Sequence, residues 1–519
     1  MTRIATDTYS FDKLRNGGYL YVDKTGEMLP LVDGSAGKQF FCARPRRFGK
    51  SLLISTLAAL YEGKKELFTG LKIERNWDWA KKWPVIRLDM GSCQANSLNE
   101  LRLKIHDLLS VNEDRLGVDS GSPDSPSIRF RQLISSAVAK TDDGMCVLLI
   151  DEYDKPLLGR LGREDVAEFR DELKAFYSVI KTMEGCLKFT LLTGVSKFSK
   201  VSIFSDLNNL TDITMDPRFP RLFGYTHEEV LENFGRGLPE LAEKNDLPTP
   251  EAAFERLKEK YDGYRFEEDA PLVFNPVSVG KCFATGKFND FWFETGTPTF
   301  LVRLMRENPI SLDNLEMPAS AFGVYEPARP ALVPILFQTG YLTIKDSHME
   351  LDERIYSLGF PNAEVRRAFS ESLSKELAQV DEVEHASLLN QMCRALRAGD
   401  INDMLDALSC FFANIPANIT VKKEKYYQSL FYALFVLIGA RIHAEGWTNR
   451  GRIDATVETA DTVYVFEFKL NDTAEAALAQ IKEKGYDEKY RRDGKRLVLA
   501  GVAFDAEMRN LSDRRIEER

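Results

Sequence analysis

Three runs of mostly apolar residues constrain the fold of this chain more than any other feature. They cover residues 39–43, 146–150 and 189–194. Strands of a parallel sheet are buried on both faces, so their sequences are continuously apolar rather than alternating. Ligand contacts collect at the carboxyl ends of such strands. The runs therefore predict an N-terminal α/β domain with a parallel sheet and a site along one edge.

The segment after the first run, residues 44–51, has the composition of a phosphate-binding loop, and a helix is expected to follow it. In such a loop the backbone N–H groups from Gly49 onward and the helix N-terminus cradle phosphates. Lys50 would reach the β- and γ-oxygens and Ser51 would ligate Mg²⁺. The motif usually begins with a glycine, and this chain has Arg44 there. We therefore expect a stiffer and more cationic start to the loop.

The second and third runs end in residues that suit nucleotide hydrolysis. Asp151 and Glu152 close the second run, and Thr193 lies near the end of the third. Asp151 would hold Mg²⁺ through Ser51 or through water, and Glu152 would orient the hydrolytic water. For Thr193 two roles stay open: a sensor of the γ-phosphate, or a structural hydroxyl that caps the next loop.

Near the C-terminus, residues 452–458 and 463–470 are predicted to form a β-hairpin around the loop 459–462. Closing that loop sets Glu458 opposite Val463 and Thr456 opposite Val465, so that Asp454 faces Glu467. Because side chains alternate along a strand, the two faces differ. The expected polar face holds Asp454, Glu467 and Lys469, and the expected apolar face holds Ile453, Ala455, Val457, Tyr464, Phe466 and Phe468.

This register brings two carboxylates together. Opposed residues have Cβ atoms about 5 Å apart, so Asp454 and Glu467 repel each other unless a divalent cation or a proton lies between them. Lys469 could stabilise an attacking hydroxide or the charge on a phosphoryl oxygen, which suits metal-assisted phosphodiester hydrolysis. The alternative is an ordinary amphipathic hairpin whose charged residues only solvate its wet face.

Residues 451–454, 465–469, 477–481 and 485–486 resemble the PD-(D/E)XK nuclease superfamily. The resemblance implies that the Asp and the Glu bind metal and that the Lys assists the nucleophile. It also implies two further residues: Glu424, which begins an upstream helix, and Gln480, on the helix after the triplet. The metal expected at this site is Mg²⁺, or Mn²⁺ in its place.

The N-terminal half resembles the AAA-ATPase-like family whose members carry such a nuclease-like domain. The resemblance rests on residues 19–25, 44–51, 151–156 and 204–210. It implies an ATP-binding core, and it implies that Arg44 is a normal variant of the loop in this family.

At 519 residues the chain is too long for one hydrophobic core, and about 150 residues per domain suggests several. We expect the ATPase-like domain at 1–224, a helical lid or winged-helix-like region at 225–345, a helical connector at 346–415 and the nuclease-like domain at 416–519. Thr226 and Glu229 predict a capped helix at the first boundary, 224/225.

The net charge of −10 excludes a generally basic surface, so nucleic acid would have to bind at local patches. Basic residues on both sides of the hairpin are candidates to neutralise phosphates, unless they are simply solvated. They are Lys422, Lys423, Lys425, Lys482, Lys484, Lys489, Arg491, Arg492, Lys495 and Arg496.

Seven cysteines without zinc or redox spacing indicate reduced thiols. No apolar run is long enough to cross a bilayer. We therefore expect a cytoplasmic protein that does not bind membranes.

Two functional hypotheses follow. In the first, ATP binding and hydrolysis are coupled to Mg²⁺-dependent cleavage of nucleic acid, with DNA favoured over RNA, and a homo-oligomer is compatible with the sequence. In the second, the protein is an NTP-dependent switch or recruitment protein whose nuclease-like domain binds nucleic acid or protein without cutting.

Overall fold

The computed structural model describes residues 3–6, 8–121, 123–161, 163–197, 209–292, 315–322, 331–378, 382–415, 424–438, 441–448, 451–459, 461–490 and 494–519. It leaves out the side chains of residues 376–378, 382, 424–426, 429, 441–448, 451–452 and 489. The chain forms two compact units, Met1–Phe291 with Met317–Ser357, and Trp292–Glu316 with Leu358–Arg519. Within the described part, no helix has both the length and the apolar character needed to cross a membrane.

A five-stranded sheet is the centre of the first unit, in the order β2-β3-β4-β1-β5. All its neighbouring strands run parallel, as the apolar runs predict. The strands are β1 Gln39–Ala43, β2 Val85–Asp89, β3 Cys146–Asp151, β4 Leu187–Gly194 and β5 Thr211–Asp212. The central strands β1, β3 and β4 are buried along nearly their whole length. Their carboxyl ends therefore bring the polar residues of three loops to one edge.

Helices surround this sheet. In the described part they are α1 Phe11–Asn16, α2 Leu29–Val32, α3 Lys50–Tyr61, α4 Leu98–Leu116, α5 Pro126–Val138, α6 Lys155–Leu158 and α7 Val166–Thr182. Short 3₁₀ turns lie at Lys65–Phe68, Met90–Cys93 and Glu184–Cys186. Helix α3 follows β1 directly after the phosphate-binding loop, as the sequence predicts.

The middle region is largely helical. Its helices are α8 His227–Phe234, α9 Leu238–Lys244, α10 Pro250–Tyr261, α11 Pro276–Thr285 and α12 Leu332–Gln338, with 3₁₀ turns at Gly235–Gly237 and Ala319–Phe322. Helix α8 begins with the predicted capping box, in which Thr226 and Glu229 satisfy each other's backbone N–H groups. Helices α8 to α11 share one hydrophobic cluster that includes Val230, Leu241 and Tyr261.

The same region also contains a small sheet, in the order β6-β8-β7. Its strands are β6 Leu315–Pro318, β7 Thr343–Glu350 and β8 Glu353–Gly359. The boundary expected at 345/346 falls inside β7, and β8 occupies residues for which a helical connector was expected. The first unit also holds both the expected 1–224 domain and most of the expected middle region.

The expected connector helices belong to the second unit together with the nuclease-like domain. They are α13 Ala363–Ala378, α14 Glu382–Ala398 and α15 Ile401–Ala413, and they are followed by α16 Glu424–Leu437. On α13, Arg367 donates to the Leu437 carbonyl at the end of α16, 3.3 Å away. On α15, Asp406 accepts from Arg514, 2.6 Å away. These contacts make the helices part of the domain rather than a linker.

The second unit is built on a mixed sheet in the order β13-β12-β11-β10-β9. Its strands are β9 Arg441–Thr448, β10 Gly451–Glu458, β11 Thr462–Leu470, β12 Arg496–Asp505 and β13 Asn510–Glu518, and α17 Ala474–Lys484 and a 3₁₀ turn at Glu488–Tyr490 connect β11 to β12. The rings of Phe431 and Phe466, on α16 and β11, lie 4.9 Å apart. Helix α17 also contacts β11 and β12. At Gly501 a Cβ atom would overlap the Ala474 carbonyl, so only glycine lets α17 lie this close to β12.

Candidate active sites

The hairpin of β10 and β11 has the register that the sequence predicts. Glu458 pairs with Val463 and Thr456 with Val465. The ladder ends one pair before Asp454 and Glu467, at Ala455 and Phe466. There the Asp454 side chain replaces a strand carbonyl, because its Oδ2 accepts a hydrogen bond from the Phe468 backbone N–H at 2.8 Å. The strands therefore separate where the two acids meet.

The face expected to be wet is covered. Thr456, Val463 and Val465 lie on it, and all three are buried. Glu467 is only 2% exposed. Ile453 also departs from the expected alternation, because it belongs to the same hydrophobic cluster as Val463 and Val465. The amphipathic-hairpin alternative is wrong for Glu467, which lies in a buried layer where its charge is costly unless paired. Asp454 beside it is half-buried.

Helix α17 supplies the residue that links Glu467 to Lys469. Gln480 donates from Nε2 to Glu467 Oε1. Its own Oε1 accepts from Lys469 Nζ at 2.8 Å. Lys469 Nζ also lies 3.5 Å from Glu467 Oε1. The sequence-predicted residues Asp454, Glu467, Lys469 and Gln480 are therefore brought together.

The second oxygen of Glu467, Oε2, is buried and has no hydrogen-bond partner among the described residues. Burial raises the pKa of Glu467 to about 8, and the neighbouring Asp454 raises it while Lys469 lowers it. An orphaned carboxylate oxygen beside a second carboxylate fits a hard divalent cation, since such ions prefer oxygen ligands. Asp454 and Glu467 are the residues that would hold it.

Several residues expected around the C-terminal site lie outside the described part of the structure. Glu424 begins α16 as predicted, but its side chain is not among those described. The same holds for Lys422, Lys423, Lys425, Lys489, Arg491 and Arg492.

Three of the flanking basic residues are paired with acids. Lys482 pairs with Glu517 and Arg496 with Glu518, and Lys495 lies 3.6 Å from Glu458. The basic patch is therefore partly neutralised, and its charge for phosphates is smaller than the sequence suggests.

In the first unit, the loop between β1 and α3 has the backbone of a phosphate cradle. Gly49 precedes the first turn of α3 with φ 94°, a conformation that favours glycine, and a Cβ there would meet nothing within 4 Å. Lys50 is buried, and its ammonium donates to the carbonyls of Arg44 at 2.8 Å and Pro45 at 2.9 Å. Ser51 is the second residue of α3. Backbone N–H groups of the first helical turn are thus available to an anion.

Arg44 does not make the loop more cationic, which corrects the expectation from sequence. Its side chain is buried and donates to the carbonyls of Ala43 and Thr214. Its guanidinium lies 4.4 Å from the ring centroid of Phe266 and 5.4 Å from that of Phe223. The cation therefore joins the loop to the residues that follow the sheet, rather than facing a phosphate.

The acids at the sheet edge are held by neighbours. Thr193 is fully buried and donates from Oγ1 to Asp151 Oδ1 at 2.6 Å. Its hydroxyl therefore orients Asp151. Glu152 lies 3.4 Å from Lys155 Nζ. Gly49, Lys50, Ser51, Asp151, Glu152 and Thr193 all lie on the loop, helix start or strand ends at this edge.

Two residues at this edge escaped the sequence analysis. Asp89 ends β2 and pairs in register with Asp151, and burial raises its pKa, with Asp151 and Glu152 adding to the effect. Asp154 is completely buried beyond β3. The available signal was position: Asp89 also follows an apolar segment, and Asp154 lies three residues after Asp151.

Comparison with known proteins agrees with this division of the chain. The family model described as "Predicted AAA-ATPase" matches residues 5–204, and the model described as "PD-(D/E)XK nuclease superfamily" matches residues 422–514. A protein from Azotobacter chroococcum mcd 1, described as "Uncharacterized protein in vnfD 5'region", is 39% identical over 520 residues, which cover 97% of this chain and 96% of the relative. The chain therefore belongs to the AAA-ATPase-like family whose members carry a C-terminal domain of the PD-(D/E)XK nuclease superfamily.

Proposed function

We propose that this protein hydrolyses ATP in its N-terminal domain and cleaves phosphodiester bonds of nucleic acid, with DNA favoured over RNA, in its C-terminal domain. The observation that carries the second half is the buried Glu467 Oε2, which has no described hydrogen-bond partner and lies on a residue whose pKa the nearby Asp454 raises. A buried carboxylate beside a second carboxylate is costly without a cation. Family membership gives the two domain types, and the coupled activity is our inference.

In the C-terminal domain each residue has a role that follows from its contacts. Asp454 and Glu467 would hold Mg²⁺ or Mn²⁺. When bound, such a cation lowers the pKa of a coordinated water and neutralises charge on the phosphate. Lys469 would stabilise negative charge on the attacking oxygen or the phosphoryl group. Gln480, bonded to both Glu467 and Lys469, would fix the orientation of these two side chains.

In the N-terminal domain the substrate is ATP with its Mg²⁺. The loop around Gly49 and the start of α3 would bind the phosphates. Lys50 would replace its hydrogen bonds to the loop carbonyls with hydrogen bonds to phosphate oxygens. Ser51 and Asp151 would hold the metal. Thr193 would keep Asp151 oriented through its 2.6 Å hydrogen bond. Glu152 would align the attacking water.

A metal titration tests the cleavage. The full-length protein is incubated with single-stranded and duplex DNA and RNA at increasing Mg²⁺ or Mn²⁺, with Asp454→Ala and Lys469→Ala alongside. We expect metal-dependent cleavage that both substitutions abolish. Cleavage that survives both substitutions would remove these residues from the mechanism.

Coupling is tested by comparing cleavage rates with ATP, ADP and a non-hydrolysable analogue. We expect the three to differ, and Lys50→Met, which removes the phosphate-binding ammonium, to abolish the difference. Equal rates in all three nucleotide states would contradict coupling while leaving each separate activity standing.

A recruitment protein that binds without cutting is the second candidate. It is favoured by the pairing of Lys482, Lys495 and Arg496 with glutamates, which reduces the charge available to a nucleic-acid backbone. Nucleotide-dependent binding with no cleavage at any metal concentration would support this candidate instead.

A further inference from the structure

The turn that follows β3 is fastened to the end of β4 by a set of hydrogen bonds. Thr193 Oγ1 donates to Asp151 Oδ1 at 2.6 Å, and the Tyr153 N–H donates to the Thr193 carbonyl at 3.0 Å. Tyr153 Oη donates to the Ser196 carbonyl at 2.9 Å. Residues on both sides of Glu152 are therefore held against the neighbouring strand.

Asp154 makes the largest share of these bonds. Its Oδ2 accepts from the Val195 N–H at 3.1 Å, the Ser196 N–H at 2.6 Å and the Ser196 hydroxyl at 2.5 Å. The side chain has no exposed surface. Space for it is left by Gly194, where a Cβ would come within 2.6 Å of the Tyr153 ring and 2.8 Å of Asp154 Oδ1.

Glu152 lies between the residues held by these hydrogen bonds, which we call the clasp: Asp151, Tyr153 and Asp154 bonded to residues 193–196. Its backbone conformation is unfavourable. Its φ is 50°, in the left-handed region that a glutamate rarely adopts. Such a conformation persists only where the surroundings determine it. The bonds of Asp151 and Tyr153 to Thr193, and of Asp154 to β4, fix the chain on either side.

The left-handed turn determines where the Glu152 carboxylate lies. Its Oε2 passes over Gly91, where an added Cβ would come within 2.9 Å of it and within 2.8 Å of Asp89 Oδ1. Lys155 Nζ lies 3.4 Å from the same oxygen. Glu152 is thus held over the carboxyl end of β3, on the side of its neighbour β2.

We propose that Asp154 is the positioning residue for Glu152: by fastening the turn to Val195 and Ser196 it keeps Glu152 left-handed and its carboxylate directed at the water that attacks ATP. This inference rests on the proposed ATP hydrolysis. Asp154 itself does not touch the substrate, so its effect must pass through Glu152.

A double-mutant cycle on the full-length protein tests this dependence. Steady-state ATP hydrolysis is measured for Asp154→Asn, Glu152→Gln and the double variant. Because misplacing a catalytic group by about 1 Å can cost on the order of 100-fold, we expect Asp154→Asn to lower kcat 10- to 100-fold with KM changed less than about threefold. In the Glu152→Gln background, Asp154→Asn should have no further effect on kcat.

The matched control is Asp262→Asn, which alters another buried carboxylate, bonded to His227 at 2.5 Å and remote in sequence from the clasp. It should leave kcat unchanged in both backgrounds. The proposal would be overturned if the loss of kcat in the double variant equalled the product of the losses in Asp154→Asn and Glu152→Gln. It would also be overturned if Asp154→Asn left kcat unchanged. Should Asp154→Asn fail to fold, Ser196→Ala, which removes one donor to Asp154, should give a smaller loss with the same non-additivity.

Crystal structures of the wild type and Asp154→Asn separate this inference from the proposed function. We expect a positive φ at Glu152 in the wild type and its loss in the variant. If the wild type hydrolyses no ATP, the proposed hydrolysis is wrong, and the backbone comparison still decides the positioning role. A positive φ retained in the variant, or absent from the wild type, would overturn it.

Discussion

The two candidate sites hold their acids in opposite ways. At the edge of the N-terminal sheet, Asp151 and Asp154 accept hydrogen bonds from Thr193, Val195 and Ser196. In the C-terminal hairpin, Glu467 has one oxygen bonded to Gln480 and one buried oxygen without a described partner. The first set of acids is oriented by the protein alone, whereas the second needs a cation or a proton to complete it.

This difference follows from where each acid lies. The N-terminal acids lie at the end of β3 or just beyond it. Backbone N–H groups at strand ends lack partners in the sheet, and they can donate hydrogen bonds to carboxylates. Glu467 lies inside strand β11, which pairs with β12 at this position, whereas its pairing with β10 ends at Phe466. The side chains of Gln480 and Lys469 lie against Glu467 Oε1, and Oε2 has no hydrogen-bond partner among the described residues. The comparison predicts that metal and pH act strongly on the C-terminal site.

The largest expected effect is on cleavage. Glu467→Gln keeps the shape of the side chain and removes its charge, so we expect the cleavage rate to fall roughly 100- to 1000-fold. Mg²⁺ binding measured by calorimetry should be lost in parallel. Glu475→Gln, on the exposed side of α17, is the matched control and should retain both. Normal metal binding by Glu467→Gln would contradict the conclusion that this carboxylate holds the cation.

The next effect is on stability. The pKa of Glu467 is raised from 4.5 to about 8 in the fold, so between these values the folded chain binds more protons than the unfolded one. In EDTA, the contribution of Glu467 to the unfolding free energy of the C-terminal domain should therefore be fully present below pH 4.5 and fall as pH rises to about 8, by up to about 1.4 kcal/mol per pH unit. Denaturant unfolding across this range measures it, and Glu467→Gln should flatten the profile. An equally steep profile in that variant would assign the dependence to other groups.

A smaller effect is expected at Gln480. Gln480→Leu removes the bridge between Glu467 and Lys469 while nearly keeping the volume, and loss of a residue that orients a metal ligand costs about 10- to 100-fold in metal affinity or activity. Mg²⁺ affinity and cleavage rate should both fall. Gln391→Leu, at a hydrogen bond to Asp403 on the neighbouring helix, is the control. Unchanged cleavage would reduce Gln480 to a packing residue.

The smallest effect is expected at Arg44. Arg44→Gly restores the glycine that phosphate-binding loops usually have, yet it removes the stacking on Phe266 and the bonds to two carbonyls, so we expect the N-terminal domain to lose about 1–2 kcal/mol of stability. Nucleotide affinity should change less than threefold. Thermal unfolding and nucleotide titration measure the two, with Arg46→Gly as a control for the added backbone freedom. A large loss of nucleotide affinity with no loss of stability would show that Arg44 acts on the phosphates after all.

Much of the fold could be predicted from residue order. The apolar runs specified parallel strands, and the hairpin register followed from the length of its loop and the two-residue period of a strand. The capping box at Thr226 was also legible, because its partners are three residues apart. The boundary at 345/346 was not, since it lies inside β7, and the sheet is completed by the pairing of β8 with β6, which lies about forty residues earlier in the chain.

Residue order is enough to predict which side chains can meet along one strand, one helix face or one turn, because backbone geometry fixes those distances locally. The packing of distant segments settles the other contacts: α17 with Glu467, Phe266 with Arg44, and the residues after β4 with Asp154. Those contacts depend on how helices and strands distant in the chain pack together. The charge state, hydrogen-bond partners and exposure of a carboxylate are set by that packing, so its chemistry is too.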